Sequence, residues 1–420
     1  MSVKVLSEIA RLLAKSKRPL FHVGQGIRHA EKEFFGLMDY LQIPFVTARN
    51  ANDMCAWDHP LLVGRPGTFA QRGANFSVQT CDLYIAVGTR LSITQTGYNT
   101  KDYARNAQII QVNIDQPELD KGTLRDPINI CMDARQFIVE LGDYWEYLAG
   151  CRWPEWLAQC QKWKEKYPVC LPEYEEQKDY VNSYYFLDTL SDLARHDDVI
   201  VTDMGIAFQA THQAWKTKKG QRLLTNCGLA PMGWGLPAGV GAAIGSDRRV
   251  LLITGEGGLM FNLQELATVM HHKLPIKIFI LNNGGYLTIK QTQEFGFEGR
   301  LMGVNRDTGL SFPHLYELAH AFDMPCYEMC PLAGTVFGLD KIKHVINQVF
   351  NENGPAICEI MMSPDQPQAP RFLNRRNPDG TMNPTRLEDA YPFLPPEIME
   401  AEMNVFGPIE KTIVTTWRRK

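Results

Sequence analysis

The chain has 420 residues, enough at roughly 150 per domain for two or three domains with sizeable cores. Charged residues make up 21%, hydrophobic residues 45% and the net charge is −4, which argues against a disordered or collagen-like chain and leaves nucleic acid no basic footprint. The longest apolar runs, at 250–253 and 278–281, are strand-sized and far short of the ~20 residues of a membrane-spanning helix, so no membrane is expected as a partner.

In chain order, Val5, Leu6, Ile9, Leu12 and Leu13 share one helical face and predict a first helix rather than a leader. A strand over 20–23 runs into Gly24-Gln25-Gly26 and an amphipathic helix over 30–41. Short apolar runs at 43–46, 83–87 and 109–114 have the length of buried parallel strands, and the block closes near 141–148. A GxG after a strand could open a dinucleotide site, but His29 replaces the third glycine, so a tight structural turn is the plainer reading. Residues 151–182 hold Trp153, Trp156 and Trp163 without a strand run and predict a helical linker. In the second block, strands at 199–202, 250–254, 276–281 and 356–361 alternate with helices at 184–194, 234–244, 259–271, 313–322 and 340–351.

This alternation predicts an α/β fold: two doubly wound, Rossmann-like parallel-sheet domains over 1–150 and 183–365, joined by the linker. Residues 366–420, rich in Pro, Arg and Asn and ending in Arg418-Arg419-Lys420, predict an extended tail packed over a surface or partner. The ten cysteines show no metal spacing and read as free thiols of a reducing, cytoplasmic compartment. His271-His272 mark a helix end, where a positive charge is favoured, rather than a catalytic pair.

Chemistry concentrates between residues 250 and 290. Gly255-Glu256-Gly257-Gly258 sits where a strand gives way to a helix, so the backbone can approach a ligand and the helix start can face a phosphate. Glu256 would repel that phosphate unless a hard divalent cation such as Mg²⁺ lies between them. The next strand ends in Asn282-Asn283-Gly284-Gly285, whose amide and carbonyl oxygens suit the same cation at the carboxyl edge of a parallel sheet. Tyr286 and Thr288 either face a substrate or pack the helix start.

Gly255-Glu256-Gly257, the segment Asn262-Leu263-Gln264-Glu265-Leu266 and Asn282-Asn283-Gly284-Gly285-Tyr286 together resemble the thiamine diphosphate motif, which begins Gly-Asp-Gly and closes with Asn-Asn. The match is to acetolactate synthase-like enzymes and spans about residues 19–396. The resemblance implies Glu256, Asn283 and the Gly285 carbonyl as metal ligands. It implies Asp203, Gly205, Gly255, Gly257, Gly258, Asn283, Tyr286 and Leu287 around the cofactor's diphosphate half. In the similar run Gly228 to Pro237, Met232 would wedge the cofactor into its bent form and the Ala230 carbonyl would accept from its 4′-amino group. The activity implied is decarboxylation of a 2-oxo acid such as pyruvate, followed by carboligation or simple protonation.

Four departures shape the expectation. Glu256 is one methylene longer than the family's aspartate, which loosens the metal geometry. Leu91-Ser92-Ile93-Thr94 stands where flavin-binding members carry an Asp-rich stretch, so FAD is expected to bind weakly if at all. Thr292 replaces a tryptophan that helps select the acceptor. Finally, the chain starts where the family's second domain starts, so the glutamate that protonates the aminopyrimidine is expected from a separate subunit carrying the pyrimidine-binding domain, in a hetero-oligomer such as α2β2. A non-catalytic cofactor-binding or regulatory homologue is the alternative.

Overall fold

The structure, a computed structural model, describes residues 3–144, 148–376, 379, 381–383 and 385–407. The basic end Arg418-Arg419-Lys420 lies outside the described residues, as does part of the expected block end at 141–148. The chain divides into two compact units. The first comprises Met1–Met54, Asp58–Pro168 and Ala369–Lys420, and the second Cys55–Trp57 and Val169–Gln368. Among the described residues no helix is long and apolar enough to cross a membrane.

The first unit holds β1 (Pro19–Val23), β2 (Phe45–Thr47), β3 (Leu62–Gly64), β4 (Leu83–Val87), β5 (Gln108–Asn113) and β6 (Ile128–Cys131) in the order β3-β2-β1-β4-β5-β6. All pairings within this six-stranded sheet are parallel. Every residue of β1 and β4 is buried, because helices cover both faces of the sheet and leave no solvated side to carry polar residues. Gly24 and Gly26 serve the chain's own packing: a Cβ there would lie 2.4 Å from the Gly88 carbonyl oxygen and 2.6 Å from Gly88 Cα.

Two expectations change here. The tryptophan-rich passage expected to link the domains supplies the helix Pro154–Lys166 to the first unit, where Trp156 and Trp163 are fully buried. Trp153 and Trp156 donate their indole N–H groups to the carbonyls of Ser16 and Pro19, both at 2.8 Å, so each ring is buried with its polar handle satisfied. The described part of the tail from Ala369 onward likewise belongs to the first unit, with a helix at Pro396–Met403 and with Glu388 and Glu402 buried.

The second unit holds β7 (Val199–Thr202), β8 (Arg222–Leu224), β9 (Val250–Gly255), β10 (Ile276–Asn282), β11 (Cys326–Met329) and β12 (Ala356–Met361), ordered β11-β12-β10-β9-β7-β8 and parallel throughout. Successive residues of β9 pack on opposite faces. Leu251 and Ile253 meet Phe186, Leu190 and Ile346, whereas Val250 and Leu252 join Leu236, Leu266 and Leu315. From β7 the chain moves outward to β8 and returns to β9, so the carboxyl ends of β7 and β9 flank a topological switch point, where open α/β sheets take their ligands.

Candidate functional site

Three chain turns meet at that edge. Register sets Thr202 of β7 beside Ile253 of β9, and Gly255 of β9 beside Leu281 of β10. The strands end nearly flush, and the segments that follow them, from Asp203, Glu256 and Asn283, lie at the same edge.

Glu256 opens the short helix Glu256–Met260 and is 1% exposed. Its Oε1 accepts from the backbone N–H of Gly285 at 2.8 Å and of Asn283 at 3.3 Å. Burial pushes its carboxyl up to about 7, against the pull of these backbone donors. The loop is fixed from its other side as well. Tyr286 N donates to the Val304 carbonyl at 2.9 Å, and a Cβ on Gly285 would fall 2.0 Å from that same oxygen. Asn282, unlike Asn283 not an expected metal ligand, shapes the turn: its Oδ1 accepts from Gly284 N at 2.9 Å and its amide donates to Glu359 of β12. The only sequence signal for it was the Asn-Asn pair itself.

The glycines are not equivalent. A Cβ on Gly257 would lie 2.2 Å from the Tyr286 ring, and one on Gly258 would lie 2.7 Å from Asp203 Oδ2. At Gly255 the nearest atom would be 3.9 Å away, so close approach is demanded at Gly257 and Gly258 only. The helix expected over 259–271 is interrupted by turns at 261–264, because Asn262 and Phe261 turn to hold the neighbouring loop. Asn262 Nδ2 donates to the Gly233 carbonyl at 2.8 Å, and Gly233, at φ +84°, has no room for a Cβ against Phe261.

Asp203 knits the site together. Its Oδ1 accepts from Met204 N at 2.8 Å and Gly233 N at 3.1 Å, and its Oδ2 accepts from Thr254 Oγ1 at 3.2 Å. Burial raises its carboxyl above the usual range while these donors lower it. Gly205 follows at φ +72° and starts the helix Ile206–Ala214. Beyond Gly228, Ala230 sits at φ +52° and is exposed with Met232, which is 36% exposed, and Leu229, which is 86% exposed. Tyr286 packs edge-on against Phe312, Leu287 is buried at the start of the helix Leu287–Gly296, and Thr288 Oγ1 accepts from Gln368 Nε2 at 2.9 Å. Tyr286 and Thr288 thus each have a protein partner at the helix start.

Among the described residues no three His, Cys, Asp or Glu side chains cluster as metal ligands. A cation here would therefore rest on one buried carboxylate, the Asn283 amide oxygen and peptide carbonyls. That all-oxygen donor set fits a hard divalent ion completed by phosphate or water oxygens.

Two family models match the chain: "Thiamine pyrophosphate enzyme, central domain" over residues 6–141, and "Thiamine pyrophosphate enzyme, C-terminal TPP binding domain" over residues 203–360. Among curated relatives, the acetolactate synthase isozyme 1 large subunit of Escherichia coli (strain K12) is 27% identical over 96% of this chain and 65% of the relative. The acetolactate synthase large subunit of Cyanidium caldarium is 30% identical over 86% of the chain and 60% of the relative. Acetolactate synthase 2, chloroplastic, of Nicotiana tabacum is 27% identical over 85% and 53%. The chain thus spans between about half and two thirds of the length of these relatives. With the first sheet inside one matched region, most strands of the second inside the other, and the Glu256 and Asn283 turns at the carboxyl edge of the second, the chain belongs to the thiamine pyrophosphate enzyme family, by its central and C-terminal domains.

Proposed function

We propose that the chain is one component of a thiamine diphosphate- and Mg²⁺-dependent, acetolactate synthase-like enzyme, a transferase or lyase that decarboxylates a 2-oxo acid such as pyruvate and passes the remaining carbon unit to an acceptor carbonyl. The observation that carries this reading is the buried Glu256 carboxylate, held between the ends of β9 and β10 against the backbone of Asn283 and Gly285.

In this reading Glu256, the Asn283 side chain and the Gly285 carbonyl hold the cation, and the bare backbone at Gly257 and Gly258 lets a diphosphate approach. Asp203 and Gly205 set the turn on the other side of the switch point, and Tyr286 and Leu287 close the loop. Ala230 offers its carbonyl to the aminopyrimidine, and Met232 supports the ring from below. The bound cofactor supplies an electron sink for the carbanion left when CO₂ departs.

A carboxylate from a second chain completes the site in this proposal, within a hetero-oligomer such as α2β2. The words "large subunit" in the names of two relatives support a multi-subunit assembly. So does the apolar surface of Leu229, Met232 and Phe261, three exposed side chains on the loops around Gly233 that a partner would cover. The ten cysteines, all free thiols, support a cytoplasmic setting. FAD has no part in the proposal.

Calorimetric titration of thiamine diphosphate with Mg²⁺, into the chain alone and with a chain carrying a pyrimidine-binding domain, is the test. Binding together with CO₂ release from pyruvate is expected with the second chain present, and Glu256→Ala should abolish Mg²⁺-dependent binding. Absence of cofactor binding even with that second chain would sink the reading. Binding without turnover of any 2-oxo acid would identify a non-catalytic cofactor-binding protein instead.

A further inference from the structure

Glu256 is longer by one C–C bond than the aspartate of the motif it resembles, and the structure shows what that length does. Its Oε1 reaches across the edge of the sheet to Gly285 N at 2.8 Å and Asn283 N at 3.3 Å. An aspartate on the same backbone would end about 1.5 Å short. Its oxygen would then lie beyond hydrogen-bond reach of Gly285 N, a buried donor. The loop that Glu256 grips has little freedom elsewhere: Gly285 is confined by the Val304 carbonyl, Tyr286 N bonds to that carbonyl, and the Tyr286 ring lies on Gly257 beside Glu256.

We propose that Glu256 is an intramolecular latch, which bonds the 283–285 loop to the end of β9 and keeps it closed without any cation. Where a shorter carboxylate needs a divalent ion to bridge it to the loop, this chain spans the gap with its own side chain. The cofactor-side edge of the second unit is therefore preformed in the metal-free protein. The inference builds on the cofactor reading above but is tested independently of it.

The experiment is hydrogen–deuterium exchange by mass spectrometry on peptides covering 281–290, in EDTA and in Mg²⁺ with thiamine diphosphate. The full chain is compared with Glu256→Asp and Glu256→Gln, and circular dichroism confirms that each variant is folded. In EDTA the unaltered chain should exchange the Gly285 amide about tenfold more slowly than Glu256→Asp, the effect expected of one hydrogen bond to a buried donor. Glu256→Gln, which keeps an acceptor oxygen at the same reach, should retain the slow exchange. Exchange in Glu256→Asp as slow as in the unaltered chain overturns the latch, and so does fast exchange in the unaltered chain. If the EDTA difference appears but the unaltered chain does not bind thiamine diphosphate even with the second chain present, the latch stands and the cofactor reading fails.

Discussion

At the scale of single residues, the site rests on contacts in which one atom more or less decides the outcome. Gly257 and Gly255 lie two positions apart in the same motif, yet a Cβ meets the Tyr286 ring at 2.2 Å in the first case and nothing closer than 3.9 Å in the second. Gly257→Ala should therefore cost about 1–3 kcal/mol of stability by overpacking. Gly255→Ala should stay within about 0.5 kcal/mol, and Tyr286→Ala in the Gly257→Ala background should recover part of the loss. Urea denaturation followed by fluorescence measures all three, and equal costs at the two glycines would refute the distinction. A second residue prediction concerns His22, fully buried in β1, with Nδ1 on the Tyr84 hydroxyl and Nε2 3.2 Å from the Gln95 amide. Burial pushes its pKa down to about 3 from an ordinary 6.5. Between those values the unfolded chain takes up a proton that the folded chain refuses. The stabilisation is therefore complete above pH 6.5 and drains away by about 1.4 kcal/mol per pH unit below it. Relative to His22→Gln, which cannot titrate, the chain should lose about 2 kcal/mol between pH 6.5 and pH 5 in thermal denaturation. A difference independent of pH would mean that His22 is accessible or charged.

At the scale of elements, what the sequence reveals depends on how many faces of an element are covered. The central strands β4, β7 and β9 are built on continuous apolar runs because both of their faces are packed, and their limits are legible to within a residue. The edge strands are not. β6 alternates buried and exposed residues over only four positions, β8 has three residues and β11 buries only Met329, so none offers the run that marks a core strand. The helix Arg72–Thr80 hides for a different reason: all nine of its residues are buried, but they read as polar. Asn75 and Gln79 spend their amides on Gly67, Leu387, Ala104 and Glu388, contacts hundreds of residues away in some cases and invisible to periodicity. Of the site, Glu256 and the Asn-Asn turn are legible because glycine, carboxylate and amide recur at strand ends, whereas the hub role of Asp203 depends on Gly233 and Thr254 arriving from elsewhere. The helix Arg72–Thr80 also carries a test. Gly73 meets the helix Pro154–Lys166 so closely that a Cβ would sit 2.8 Å from the backbone carbon of Trp163. Backbone cannot swing aside as a side chain can, so Gly73→Ala should cost about 3 kcal/mol or more despite alanine's better helix propensity. A neutral or stabilising effect in chemical denaturation would show that the two helices can separate freely.

At the scale of the whole molecule, the first unit is assembled from distant parts of the chain, and its last part does more than cover a surface. From Ala369 the chain returns to the first unit, where Phe372 N donates to the Thr68 carbonyl at 2.7 Å and Arg371 exchanges backbone bonds with Tyr391. Glu388, 2% exposed, takes Arg105 at 2.7 Å and Gln79 Nε2 at 2.9 Å, and Glu402 takes the Trp163 indole at 2.7 Å and the Tyr167 hydroxyl at 2.8 Å. Each partner is a group from residues 72–167; Arg105 keeps a second carboxylate, Asp102, at 3.3 Å, whereas the buried Gln79 amide and Trp163 indole would be left without these acceptors. Glu388→Ala should thus destabilise the first unit by about 1–3 kcal/mol. A chain ended at Gln368 should do worse. In exchange experiments on that shortened chain, amides of Arg72–Thr80 and Pro154–Lys166 should lose their protection. Those of β9 and β10, which belong to the second unit, should keep theirs. Protection of Arg72–Thr80 unchanged by the truncation would show that the returning segment is dispensable. Loss of protection in β9 and β10 as well would show that the second unit does not hold its sheet independently of that segment, so the two results separate a local brace from a requirement of the whole chain.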